Sequence, residues 1–119
     1  MDPKHRPAPL PPIEMEGERA VAFDCLPCLG PDGPVPMTGV THLRFADLTA
    51  ALLARMRPSL ILLPLFSPGY DATTAIETLE ALGYRGRLTI LAPDLPKPRL
   101  VERELRNLGP GMRLTLISP

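Results

Sequence analysis

From residue 19 onward the apolar positions fall into short runs, separated by stretches in which they recur every three or four residues. Short apolar runs read as strands buried on both faces, and the three-to-four spacing reads as helices packed along one side. Their alternation predicts an α/β chain built on a parallel sheet. Residues 20 to 24 form the first expected strand and residues 42 to 45 a short second one. Asp47 is placed to cap a helix running through residue 56, with Leu48, Leu52 and Met56 on one face and Pro58 just past its end. Residues 59 to 63 are apolar on both faces, as a central parallel strand must be. The loop 64 to 71 leads to a helix capped by Asp71, or by Thr74 with Glu77 three residues later. That helix turns Ile76, Leu79 and Leu82 inward and stops at Gly83. A strand over 88 to 92 follows. Pro98 then opens a helix with the stripe Val101, Leu105 and Leu108, ended by Gly109. In the closing strand, 112 to 117, Met112, Leu114 and Leu116 alternate with Arg113, Thr115 and Ile117, which predicts one buried and one partly polar face.

Composition changes this picture at the N-terminus. Nine of the 17 prolines lie in the first 39 of the 119 residues, so residues 1 to 18 read as a proline-rich arm and 19 to 119 as one α/β domain. The arm reads as a solvated or loosely docked tail; as a ligand for a proline-binding domain it lacks the accompanying basic pattern. Residues 25 to 41 hold four prolines and three glycines, so no helix is expected to cross over there. Thirteen basic residues balance thirteen acidic ones, which argues against general nucleic-acid binding. Residues 1 to 40 carry three bases against six acids, and residues 41 to 119 carry ten against seven, so the arm has a charge reason to fold back on the body. With no apolar run long enough to span a bilayer and no signal-peptide pattern, a cytoplasmic location without membrane contact is expected.

The stretch RPSLILLPLFSPGYDATTAIETLEALGYRGRLTILAPD resembles the middle of a response-regulator receiver domain, and the likeness extends over residues 46 to 119. The resemblance implies a flavodoxin-like open parallel sheet of about five strands, a phosphoacceptor Asp at the end of the third, a Ser or Thr after the fourth and a Lys-Pro after the fifth. Here Pro64 falls on the phosphoacceptor position, Ala92 on the Ser/Thr and Ser118 with Pro119 on the Lys-Pro. Pro68, Gly69 and Asp71 match the loop that follows the phosphoacceptor. Of the paired acids that hold Mg²⁺, only Asp24 remains, with Cys25 beside it. Aspartyl phosphorylation needs a carboxylate nucleophile, a metal held by oxygen ligands and a cation to neutralise developing charge. Proline supplies no nucleophile. The resemblance therefore implies a pseudo-receiver without catalysis, cofactor or metal, acting in signal transduction through protein contacts. The first and last receiver helices are missing from the pattern, leaving three helices mainly on one face. A bare opposite face would then be covered by the arm, by a second copy or by another protein, and a dimer is expected.

Other candidate residues stand beside these. Cys25 and Cys28 form a C-x-x-C, but the turn residues that follow them cannot make the helix that activates such thiols, so two buried, reduced cysteines are the plainer reading. A zinc site would need His5 and His42, at irregular spacing. Arg99, Arg103 and Arg106 form a basic stripe on the last helix, with Glu102 four residues before Arg106 as a weak local pair, and Arg113 adds a further base. Phe66 and Tyr70 lie in a loop at a strand's carboxyl end, where open α/β sheets bind ligands. The alternative reading is accordingly a small-ligand or nucleotide sensor around Asp24, Phe66, Tyr70 and Pro93. No Walker loop, dinucleotide fingerprint or nucleophile-base grouping gives a positive case for an enzyme.

Overall fold

The computed structural model describes residues 13, 15–25, 35 and 39–118. Five strands form one parallel sheet: β1 (Ala20–Phe23), β2 (Val40–Leu43), β3 (Leu60–Pro64), β6 (Arg87–Leu91) and β7 (Arg113–Ile117). Their order across the sheet is β2-β1-β3-β6-β7, the flavodoxin-like order in which the chain starts one strand in from an edge. The central strand is β3, in which Leu60, Ile61, Leu62 and Leu63 are all fully buried. Between β3 and the next helix the chain makes a small antiparallel hairpin, β4 (Phe66–Ser67) and β5 (Tyr70–Asp71), where a loop was expected. Pro68 and Gly69, the latter at φ +89°, form its turn.

Three helices, α1 (Ala50–Met56), α2 (Ala72–Ala81) and α3 (Pro98–Leu108), pack on one face of the sheet. That face presents Val21, Phe23, Ile61, Leu63, Leu88, Ile90, Leu114 and Leu116, which meet Ala75, Ile76, Leu79 and Leu105. Asp71 caps α2 by accepting from the Thr74 N–H at 2.9 Å, the first of the two caps that the sequence offered. Leu82 is half-buried at the end of that helix, and Gly83 stops it at φ +83°.

Several expectations need correction. Asp47 does not cap α1. It closes a 3₁₀ turn over Phe45–Asp47 and pairs with Arg44, while Thr49 accepts from the Leu52 N–H at 3.0 Å. Leu53, rather than Leu52, joins Leu48 and Met56 on the core. The second strand lies at Val40–Leu43 instead of 42 to 45, and the first ends at Phe23 because Asp24 turns left-handed at φ +56°.

The helix-free face is not bare at its centre. Ala20, Ala22, Leu60, Leu62 and Leu91 are buried there together with Cys25 and Val35, and Ile13 and Met15 pack against them. Leucines on a central strand gain about 1.5–3 kcal/mol each from full burial, so the chain's own segments beside β1 are the first cover to reach them. Among the described residues the β7 border of this face is open, with Arg113 and Thr115 exposed and Ile117 half-buried. The expected loop in place of a first helix lies mostly outside the described residues, as do residues 1 to 12 of the arm, His5 and Cys28.

Candidate functional site

The carboxyl ends of the parallel strands place Asp24, Pro64, Ala92 and Ser118 along one rim. Asp24 follows β1, and its left-handed backbone lets its N–H donate to the Leu43 carbonyl at 2.9 Å. That conformation is uncommon outside glycine, and Asp tolerates it better than most residues. Its carboxylate then turns toward the chain leaving β2: Oδ2 accepts from the Phe45 N–H at 3.0 Å and from the Tyr70 hydroxyl at 2.8 Å. The rings close over this contact. Phe45 and Tyr70 stack with centroids 4.7 Å apart, and Phe23 meets Phe45 edge-on at 5.7 Å. Burial holds the Tyr70 phenol well above its ordinary value, and the hydrogen bond to Asp24 adds to the shift.

Two of the expected site residues, Asp24 and Tyr70, are therefore brought together, and Phe45 joins them. Sequence reasoning missed Phe45. Read as the last residue of a strand over 42 to 45, it gave no sign of standing beside Asp24; the observed strand ends at Leu43 and frees it to do so. Pro64 closes β3 beside Leu91 of β6, and Ala92 is buried with its N–H donated to the Ile117 carbonyl at 2.9 Å. The Ser118 hydroxyl donates to the Pro93 carbonyl at 2.7 Å. Neither Pro64 nor Ala92 offers a side-chain nucleophile or donor, so the rim's polar chemistry is the Asp24 cluster and Ser118. Cys25 is buried, its Sγ 3.4 Å from the Phe23 carbonyl and 3.6 Å from that of Leu62. Among the described residues, no three of His, Cys, Asp and Glu are grouped to hold a metal ion.

Phe66, on the β4–β5 hairpin, is 67% exposed, the most exposed large apolar side chain among the described residues. Arg99, Arg103 and Arg106 all lie on α3 at the spacing of one helix face, and Arg113 lies apart from them. Arg113 starts β7 at the opposite end of the sheet, and Arg103 is exposed on α3. Arg99 lines a cleft of about 380 Å³ between α3 and β7, together with Pro98, Glu102 and residues 115 to 118. Arg106 is not a freely solvated arginine: its Nε donates to the Leu114 carbonyl at 3.1 Å, and its guanidinium pairs with Glu102 at 3.1 Å. Glu102 is buried, and its Oε2 accepts from the Leu116 N–H at 2.8 Å. The opposite end of the sheet is closed by the Glu18–Arg87 pair at 2.9 Å and by the Tyr84 hydroxyl on the Arg87 carbonyl.

No helix among the described residues is long and apolar enough to cross a membrane. Comparison with models of known protein families, with curated proteins and with solved structures gives no match in any of the three.

Proposed function

We propose that this chain is a receiver-like signalling module that carries out no phosphoryl transfer and acts in the cytoplasm through contacts with other proteins or with a second copy of itself. The observation that supports this reading most directly is the engagement of Asp24. The one acid left at the metal position of the resembled family spends Oδ2 on the Tyr70 hydroxyl and the Phe45 N–H, two residues whose rings stack on each other. Next to it, the position matched to the phosphoacceptor is Pro64, which has no atom able to attack phosphorus. A rim whose remaining acid is held by Tyr70 and Phe45, with proline at the phosphoacceptor position, is better suited to presenting a fixed surface than to phosphoryl transfer.

The contact surface falls where the chain leaves apolar atoms uncovered. Phe66 stands out from a hairpin anchored on both sides, with the Leu65 N–H donated to the Leu91 carbonyl and the Ala72 N–H to the Leu65 carbonyl. A rigidly mounted exposed aromatic loses little conformational freedom when a partner covers it. The helix-free face, expected to be the dimer surface, keeps this role only at its β7 border.

Incubation of the full chain with acetyl phosphate and Mg²⁺, or with beryllofluoride and Mg²⁺, tests the reading. Intact mass and the backbone amide spectrum over residues 64 to 71 should stay unchanged. A covalent adduct, or saturable shifts at Asp24 and the hairpin, would overturn it.

A further inference from the structure

Among the described residues β7 is the last strand of the sheet, and no further strand pairs with the backbone groups on its outer side. In a parallel strand, N–H and C=O groups of alternate residues point to the same side. The Ala92 N–H reaches the Ile117 carbonyl and the Arg113 N–H reaches the Gly86 carbonyl, so residues 113 and 117 face inward, while Leu114 and Leu116 present theirs outward. Such a row is a template for strand addition. In this protein, Glu102 accepts from the Leu116 N–H and Arg106 donates to the Leu114 carbonyl, while the two side chains pair with each other one helical turn apart. One acceptor and one donor, flanking Thr115, are what a single residue of a parallel neighbouring strand would supply.

We infer that Glu102 and Arg106 are a guard standing in for a sixth strand, and that without it β7 pairs antiparallel with β7 of a second copy. The edge is suited to that pairing. With Thr115 opposite its own copy, Leu114 meets Leu116 of the other chain and all four outward groups of those two leucines on each chain are satisfied. Arg113 falls opposite Ile117, which places the two arginines about 13 Å apart, beyond the reach of strong repulsion in salt. A parallel arrangement would instead stack Arg113 on Arg113. The cleft beside residues 115 to 118 leaves the strand approachable from that side. In the intact protein the guard keeps the β7 edge from pairing with itself, which limits the second-copy part of the proposed function to side-chain contacts at that border; it does not touch the loss of phosphoryl chemistry, so failure here leaves the beryllofluoride result standing.

The test removes the guard from the full chain. In Glu102→Ala/Arg106→Ala, dilute protein should exchange the Leu116 amide about tenfold faster than wild type, since a hydrogen bond to a charged group is lost. Sedimentation should then show a dimer appearing with concentration, together with renewed Leu116 protection. Adding Thr115→Lys places two ammonium groups directly opposite and should return the variant to monomer. If circular dichroism finds the double alanine variant unfolded, Glu102→Leu/Arg106→Ala is read in the same way. A folded variant that stays monomeric, or a dimer indifferent to Thr115→Lys, overturns the inference.

Discussion

Tyr70 donates its hydroxyl to Asp24 across 2.8 Å, joining residues 46 positions apart in the chain. The bond pins the β4–β5 hairpin to the end of β1, and the Phe45 ring lies against Tyr70 on the same side. Tyr70→Phe keeps that stack and removes only the donor. It should cost about 1–2 kcal/mol, because a partly buried carboxylate loses one of its two hydrogen bonds. Tyr70→Ala should cost more through the lost ring. Urea denaturation measures both, and a neutral Tyr70→Phe would mean that solvent already satisfies Asp24.

The same phenol and that of Tyr84 fix the direction of the alkaline response. Burial is the first cause of the upward shift in each, joined at Tyr70 by the Asp24 hydrogen bond and at Tyr84 by the charge of Glu18. A group whose folded value lies above its unfolded value of 10.0 holds its proton in the fold and releases it on unfolding. Its stabilising contribution is complete below pH 10 and shrinks as the pH climbs past it. Melting temperature should therefore fall steeply above about pH 10. In Tyr70→Phe/Tyr84→Phe that fall should be shallower, and an equal slope would remove the tyrosines as its cause.

Leu62 decides whether the helix-free face is covered in solution. It is fully buried between β1 and β6 on that side, grouped with Cys25 and Val35. Leu62→Ala should cost about 2–5 kcal/mol, the usual range for a core leucine. On a bare face the same change would cost far less. Chemical denaturation of the monomer separates the two cases.

Much of the fold was legible in the sequence because each strand and helix announces itself locally. The run LILL in β3, Pro98 at the start of α3 and the alternation in β7 each reflect one element's own burial. The candidate site was less legible. Asp24, Phe45 and Tyr70 meet across three separate segments, and no spacing rule in one segment reports on the other two. Glu102 and Arg106 show the same limit: as an i,i+4 pair they read as a few tenths of a kcal/mol on a solvated helix, whereas their partners are backbone groups of β7. The cover over Leu62 comes from Ile13, Met15, Cys25 and Val35, which lie in proline-rich stretches without periodicity. Composition alone cannot say where such segments dock.

The sequence points to Asp47 as the cap of α1 and the structure puts Thr49 there, and substitution distinguishes the two. Thr49 sits extended at φ −136°, ψ 163° with its hydroxyl oxygen on the Leu52 N–H, while Asp47 ends the preceding 3₁₀ turn with its carboxylate on exposed Arg44. The helix has only seven residues, and its two core contacts, Leu53 and Met56, are only half-buried, so the local cap carries a large share of its stability. Thr49→Ala should therefore cost about 1 kcal/mol, seen first as faster amide exchange over residues 52 to 56 and only weakly in global unfolding. Asp47→Ala should leave those amides alone, since an ion pair between exposed side chains adds little. The reverse pattern would return the cap to Asp47 and detach the 3₁₀ turn from its place as a separate element.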